Sequence, residues 1–193
     1  DWSSDVCSSD LEIVVVPQSV SLVGGHVAGL RPGERYTVRD LLNALLIASA
    51  NDAAHTLAIY HSGSTALFAE VMNERAAVLG LYGTHFDNPI GFDSADQYST
   101  PRELAWLSLY ALKNELIRSI ASQKTETIRD HAHGRTVTLL NTNHLLFTHP
   151  SRFFGLKTGT TALAGQCLIS LAYDRGRPFL FVVLQSADQI GRA

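Results

Sequence analysis

Apolar positions follow two different rhythms along this chain. From Thr37 they recur at helical spacing: Val38, Leu41, Leu42, Leu45 and Leu46 fall at i, i+3, i+4, i+7 and i+8, one buried face of a helix. Thr37 with Asp40 three residues on forms a capping box at its start. The pattern weakens at Ser49-Ala50-Asn51 and resumes from Ala53 to Ile59. Ser64 caps a further predicted helix that carries Leu67, Phe68, Val71 and Met72 inward and stops near Gly80. Asn88-Pro89 and Gly91 mark an irregular loop. Thr100, Pro101 and Glu103 supply an N-cap, an N1 proline and an acid for a helix through Leu104, Leu107, Ser108 and Ala111, and a shorter one follows from Glu115 to about Ser122.

The second rhythm belongs to strands. Thr136 to Leu140, Phe153 to Lys157, Ala164 to Tyr173 and Pro178 to Gln185 read as strands, the last two joined by the hairpin signal Asp174-Arg175-Gly176-Arg177. At the other end, Glu12 to Val23 is rich in β-branched residues and reads as one or two short strands, followed by turns at Gly24-Gly25 and Pro32-Gly33. Helices in the middle and strands at the end make an α+β layout.

Composition narrows the picture. A chain of 193 residues with 46% hydrophobic and 17% charged residues is an ordinary globular protein. It is most simply one domain. A net charge of -3 offers no electrostatic footprint for nucleic acid. No apolar run approaches the roughly 20 residues of a membrane span, and no signal peptide is visible. Residues 1–11 (DWSSDVCSSDL) have no period and repeat Ser-Ser-Asp; they read as translated non-native sequence or a disordered terminus, setting residues 12–193 apart. The chain stops at Ile190 to Ala193 soon after a strand, which reads as truncation there too. Two cysteines are too few for a disulfide framework, and Cys167, in an apolar run, reads as a buried small hydrophobe.

Chemistry enters with two short motifs. Ser49 and Asn51 lie at the break after a buried helix, where a hydroxyl and an amide can face a cleft. Lys157-Thr158-Gly159-Thr160 lies at the end of a predicted strand: Lys157 supplies positive charge, Thr158 and Thr160 supply hydroxyls suited to a carboxylate, and Gly159 lets a backbone approach closely. Each motif alone is common. Among the eight histidines, His131 with His133 and His144 with His149 are the nearest sets, but no zinc spacing occurs and they read as surface residues. Asp52, Asp87, Asp93 and Asp96 read as capping and turn residues rather than paired catalytic carboxylates. Arg31, Arg35 and Arg39 read as solvated.

Together the motifs carry a resemblance. Gly29-Leu30-Arg31-Pro32-Gly33-Glu34-Arg35-Tyr36-Thr37-Val38, Ser49-Ala50-Asn51-Asp52-Ala53-Ala54, Asn88-Pro89, Asn141-Thr142-Asn143-His144-Leu145-Leu146 and Gly155-Leu156-Lys157-Thr158-Gly159 resemble the D-alanyl-D-alanine carboxypeptidases, the low-molecular-mass penicillin-binding proteins. The resemblance covers about Glu12 to Ala187. It implies a β-lactamase/DD-peptidase-like fold, a helical subdomain plus an antiparallel sheet, incomplete here at both ends. It implies hydrolysis of the terminal D-alanine of peptidoglycan stem peptides through an acyl-enzyme, with no metal and no cofactor. β-Lactams would mimic the D-Ala-D-Ala end, and the address would be extracytoplasmic. Ser49 and Asn51 would be the second motif, and Lys157, Thr158 and Gly159 the third, with Thr160 contributing to the oxyanion hole. The first motif, Ser-x-x-Lys, holds the nucleophile. It occurs nowhere in the sequence; Ser122-Gln123-Lys124 has the wrong spacing. The chain as it stands is therefore expected to be inactive, since loss of such a nucleophile costs on the order of a millionfold in turnover. The alternatives are a non-catalytic peptidoglycan-binding relative and a β-lactamase-related hydrolase, the latter disfavoured by Ala50 at the centre of the second motif.

Overall fold

The computed structural model describes residues 10–187. Most of the segment 1–11, with Cys7, and the end at Ile190 to Ala193 lie outside the described residues. The capping box forms as expected: Asp40 N donates to Thr37 Oγ1 at 3.0 Å and Thr37 N donates to Asp40 Oδ2 at 3.1 Å. It starts α1 (Val38–Ile47), whose Leu41, Ala44 and Ile47 are fully buried. Two short strands, β1 (Ile13–Val15) and β2 (Arg35–Thr37), pair antiparallel beside it. Of the strand-like stretch Glu12 to Val23 only β1 is a strand; Gln18–Leu22 winds into a 3-10 turn that puts Val20 into the core.

Three helices follow α1: α2 (Asn51–Ser62), α3 (Thr65–Val78) and α4 (Pro101–Ala111). The face of α3 differs from expectation. Leu67 is 50% and Val71 38% exposed, while Ala69 and Ala76 are buried. The helix packs on α2, with Phe68 edge-on to the His61 ring and Met72 half-buried as expected, while Leu67 and Val71 look outward. A short α5 (Glu115–Ala121) leads to β3 (Thr125–Arg129), which pairs antiparallel with β4 (Thr136–Leu140). The core gathers Val14, Tyr36, Leu41, Ile47, Ile120, Ile128 and Leu139 around α1.

After one helical turn, α6 (Leu145–Thr148), comes the main sheet: β5 (Phe153–Thr161), β6 (Gly165–Asp174) and β7 (Arg177–Ser186), antiparallel in that order. Arg175 (φ 48°) and Gly176 (φ 77°) both take left-handed backbone in the β6–β7 turn, as a two-residue hairpin requires. The architecture is α+β. Cys167, expected to be buried, is only partly covered; it lies on β6 opposite Gly159 and lines an open cavity with Tyr98, Leu104 and Leu184. Arg39 is half exposed but clamps the buried carboxylate of Asp10 at 2.5 Å.

Buried ions lock β2 to the β3–β4 hairpin. Arg135 donates to Glu34 through Nε at 2.6 Å and Nη2 at 2.8 Å. Asp130, fully buried, accepts from the N–H groups of Arg35, Ala132 and His133. Burial alone would raise both carboxyl pKa values; the hydrogen bonds, with the Arg135 guanidinium at Glu34, outweigh it and hold both below the usual carboxylate range. The unfolded chain therefore binds these protons more readily. The stabilisation is full at neutral pH, begins to fade near the unfolded values of about 4.5 and 3.8, and is lost as pH falls toward the folded ones. Urea midpoints measured from pH 7 to pH 3 are expected to hold and then drop below about pH 4.5, with a shallower drop in Asp130→Asn.

One glycine decides how the sheet meets the helices. Gly155 has φ 83°, and a Cβ there would sit 2.0 Å from the Ala121 carbonyl oxygen. Gly155→Ala is expected to cost about 3 kcal/mol or more through strain and displaced backbone. A melting experiment should show a Tm lower by roughly 6–12 °C.

Candidate active site

The site forms where α1 ends, α2 begins and β5 passes. Ala48 closes α1, Ser49 turns into left-handed backbone (φ 56°), and buried Ala50 caps α2 in extended conformation (φ -76°). That φ is ordinary for an alanine, so Ala50 fits the centre of the motif without strain. The turn is fixed from three sides. Ala50 N donates to the Ala44 carbonyl at 3.1 Å, Asn51 N to the His26 carbonyl at 2.8 Å, and Thr142 N to the Ile47 carbonyl at 3.1 Å.

Across from it, Lys157 reaches over from β5. Its Nζ donates to Ser49 Oγ at 2.5 Å and to its neighbour's carbonyl, Thr158 O, at 2.7 Å. The motifs, 108 residues apart in sequence, thus meet in one crevice. Leu46, Leu107, Ile117, Ala121 and Ile169 line a cavity of about 140 Å³ beside the ammonium. Desolvation there pushes the Lys157 pKa down to about 8.

The other predicted residues are placed as follows. Asn51 Nδ2 donates to the Gly24 carbonyl at 3.0 Å, and Gly25 lies so close that a Cβ would come within 2.7 Å of that nitrogen. Thr158 Oγ1 and Thr142 Oγ1 share a hydrogen bond of 2.6 Å. Thr160 Oγ1 donates to Gln166 Oε1 on β6 at 2.8 Å. Gly159 is exposed, and a Cβ there would make only an ordinary 3.8 Å contact with Cys167. The protein's own packing does not demand a glycine at that point; the strand edge is simply kept low. Ser122 caps α5 and bonds the Ser119 carbonyl, and Lys124 lies over the Phe147 ring, so this near-match to Ser-x-x-Lys has structural employment elsewhere.

Several residues that matter were not singled out by motif. Asp52 is buried; its carboxylate accepts from Ala28 N at 3.0 Å, Gly29 N at 2.8 Å and Leu30 N at 2.9 Å, pinning the loop that flanks Asn51. Thr142 ties the end of α1 to Thr158. Asn88 holds Phe92 by both backbone groups, and the Phe92 ring lies against Gly25. Its neighbour Asp93 accepts from Thr161 Oγ1 and from Leu163 N at the β5–β6 turn. Residues 92 and 93 therefore bridge the two sides of the crevice. His133 Nδ1 pairs with Asp130 and His131 with Asp40; among the described residues no three His, Cys, Asp or Glu side chains gather as a metal set.

A family profile described as D-alanyl-D-alanine carboxypeptidase matches residues 12–188, and the chain belongs to that family. It is 36% identical over 150 residues to the D-alanyl-D-alanine carboxypeptidase DacF of Bacillus subtilis, covering 78% of this chain and 38% of that protein. It is 36% identical over 171 residues to DacD of Escherichia coli, covering 88% of this chain and 42% of that one. The chain thus spans about two fifths of the length of these relatives. The crystal structure of the Streptomyces K15 DD-transpeptidase superposes with a TM-score of 0.84 at 33% identity, over 93% of this chain and 73% of that one. The fold is that of the DD-peptidases.

Asp52→Ala removes the acceptor of four backbone N–H groups at once, those of Ala28, Gly29, Leu30 and Ala53. At about 1–3 kcal/mol for each buried donor left unpaired, partly relieved by water, a loss of about 3 kcal/mol or more is expected by denaturant unfolding.

Proposed function

We propose that this chain forms the substrate-binding part of a serine-type D-Ala-D-Ala carboxypeptidase acting on peptidoglycan stem peptides. The observation that carries the reading is the direct contact between the Lys157 ammonium and the Ser49 hydroxyl. Lys157 supplies the positive field and Thr158 and Thr160 the hydroxyls for the terminal carboxylate of the peptide. Gly159 leaves the edge of β5 open to the peptide backbone, and the Thr160 N–H serves as an oxyanion donor. The Asn51 amide, now on the Gly24 carbonyl, exchanges that acceptor for a peptide carbonyl. Ser49, bonded to Lys157, relays a proton to the departing D-alanine amine.

The acyl-enzyme of this chemistry forms on the serine of a Ser-x-x-Lys segment. These 193 residues hold none, so the chain alone is expected to bind without turning over. β-Lactams are ligands of the same site in a protein that holds all three motifs. A peptidoglycan substrate places such a protein on the outer side of the cytoplasmic membrane. Among the described residues no helix is long and apolar enough to cross a membrane.

Titration of the purified chain with an N-acylated peptide ending in D-Ala-D-Ala, followed by NMR, tests the reading. Saturable shifts at Ser49, Asn51 and β5 are expected, with little response to the L-Ala-L-Ala isomer. Lys157→Ala should weaken binding roughly tenfold, about 1.4 kcal/mol. Equal response to both isomers, or a Lys157→Ala variant that binds as the parent does, would sink the proposal.

A further inference from the structure

The Ser49–Lys157 pair has the geometry of a serine with its own base. The two side chains meet at 2.5 Å, and both remain partly open to solvent. Ser49 sits in left-handed backbone, a conformation a non-glycine residue keeps only where its surroundings over-determine it. Here they do: Ala50 N is bonded to the Ala44 carbonyl, and Thr142 N to the Ile47 carbonyl just before the turn. The second Lys157 contact, to the Thr158 carbonyl, orients the amine on the hydroxyl. The cavity beside Lys157 is lined from α1, α4, α5 and β6 mainly by apolar side chains (Leu46, Leu107, Ile117, Ala121 and Ile169), the one hydroxyl there, Ser108, donates to the Leu104 carbonyl, and no carboxylate among the described residues pairs with the amine.

We propose that Ser49 is itself an acylatable nucleophile in this chain, with Lys157 as its base, reactive toward activated acyl and phosphonyl electrophiles. This role is separate from the proton relay described above. It rests on the contact geometry, with burial of the amine in support, and not on peptide binding, so its failure leaves the peptide-binding reading standing. With a fluorophosphonate, Ser49 Oγ bonds to phosphorus as the phosphorus–fluorine bond breaks. Fluoride leaves, and the hydroxyl proton passes to the neutral Lys157 amine, which becomes ammonium. The ammonium form donates to Oγ; the amine form accepts from it, which is the reactive arrangement. Burial supports it by drawing the Lys157 pKa from 10.5 to about 8. The N–H groups of Ala50 and Asn51 are both taken by carbonyls, so no donor pair stands ready at Ser49 for an oxyanion. The reaction is accordingly stoichiometric and needs a good leaving group.

The experiment is labelling of the purified chain with a biotinylated fluorophosphonate from pH 6 to pH 10, read by intact mass and peptide mapping. One equivalent on the Ser49 peptide is expected. The rate should rise roughly tenfold between pH 7 and pH 9 and level above, following the neutral amine. Ser49→Gly, whose backbone suits φ 56°, should fold and take no label. Lys157→Arg, which keeps the charge but cannot release its proton, should label at least tenfold more slowly and without the step near pH 8. An adduct on another residue, no adduct on folded protein, or an unchanged pH profile in Lys157→Arg would each overturn the proposal.

Discussion

Moving an ammonium out of water is costly unless it is well bonded, and the structure turns on how this is met for Lys157. Two acceptors converge on its Nζ, one from the turn after α1 and one from β5 itself. To supply the first, the sheet must come within side-chain reach of the helical layer. Gly155 permits the approach, because β5 there lies almost on the last carbonyl of α5. Thr142 holds the same two elements from behind, with its backbone on Ile47 and its hydroxyl on Thr158. The asparagines on either side of Thr142 are buried; Asn141 bonds the Gln123 carbonyl and also receives the Asn143 N–H, so the tie is rigid. A lysine in the crevice is thus the visible end of a longer chain of contacts.

How much of this was legible depends on the range of the rule involved. Caps and turns obey neighbours, and Thr37 with Asp40, Thr100 with Pro101, and Arg175-Gly176 all form as their residues dictate. β3 was missed because Thr-Glu-Thr-Ile-Arg buries only Ile128; one apolar residue makes no pattern. β2 was hidden inside a turn and a cap. Leu67 and Val71 show the opposite failure: periodicity reports which face of α3 is greasy, and what lies opposite that face is decided by the rest of the chain.

The two motifs were legible because they pair residue types of distinct chemistry in a fixed order. Their supports were not. Asp52 read as one more helix-start acid, yet three of its four N–H partners lie 22 to 24 residues earlier. The bond from Thr161 to Asp93 spans 68 residues and involves a carboxylate in an unremarkable loop. Long-range hydrogen bonds between a common side chain and a backbone leave no periodic trace.

The loop from Asn88 to Asp93 has a mechanical consequence. Phe92 leans on the glycine beside Asn51, while the very next residue grips the far turn of the sheet. Adjacent residues share one peptide unit, so neither grip can be released far without dragging the other. The two walls of the crevice are thus fastened through consecutive residues of one loop, which sets the gap between the asparagine and the strand tip.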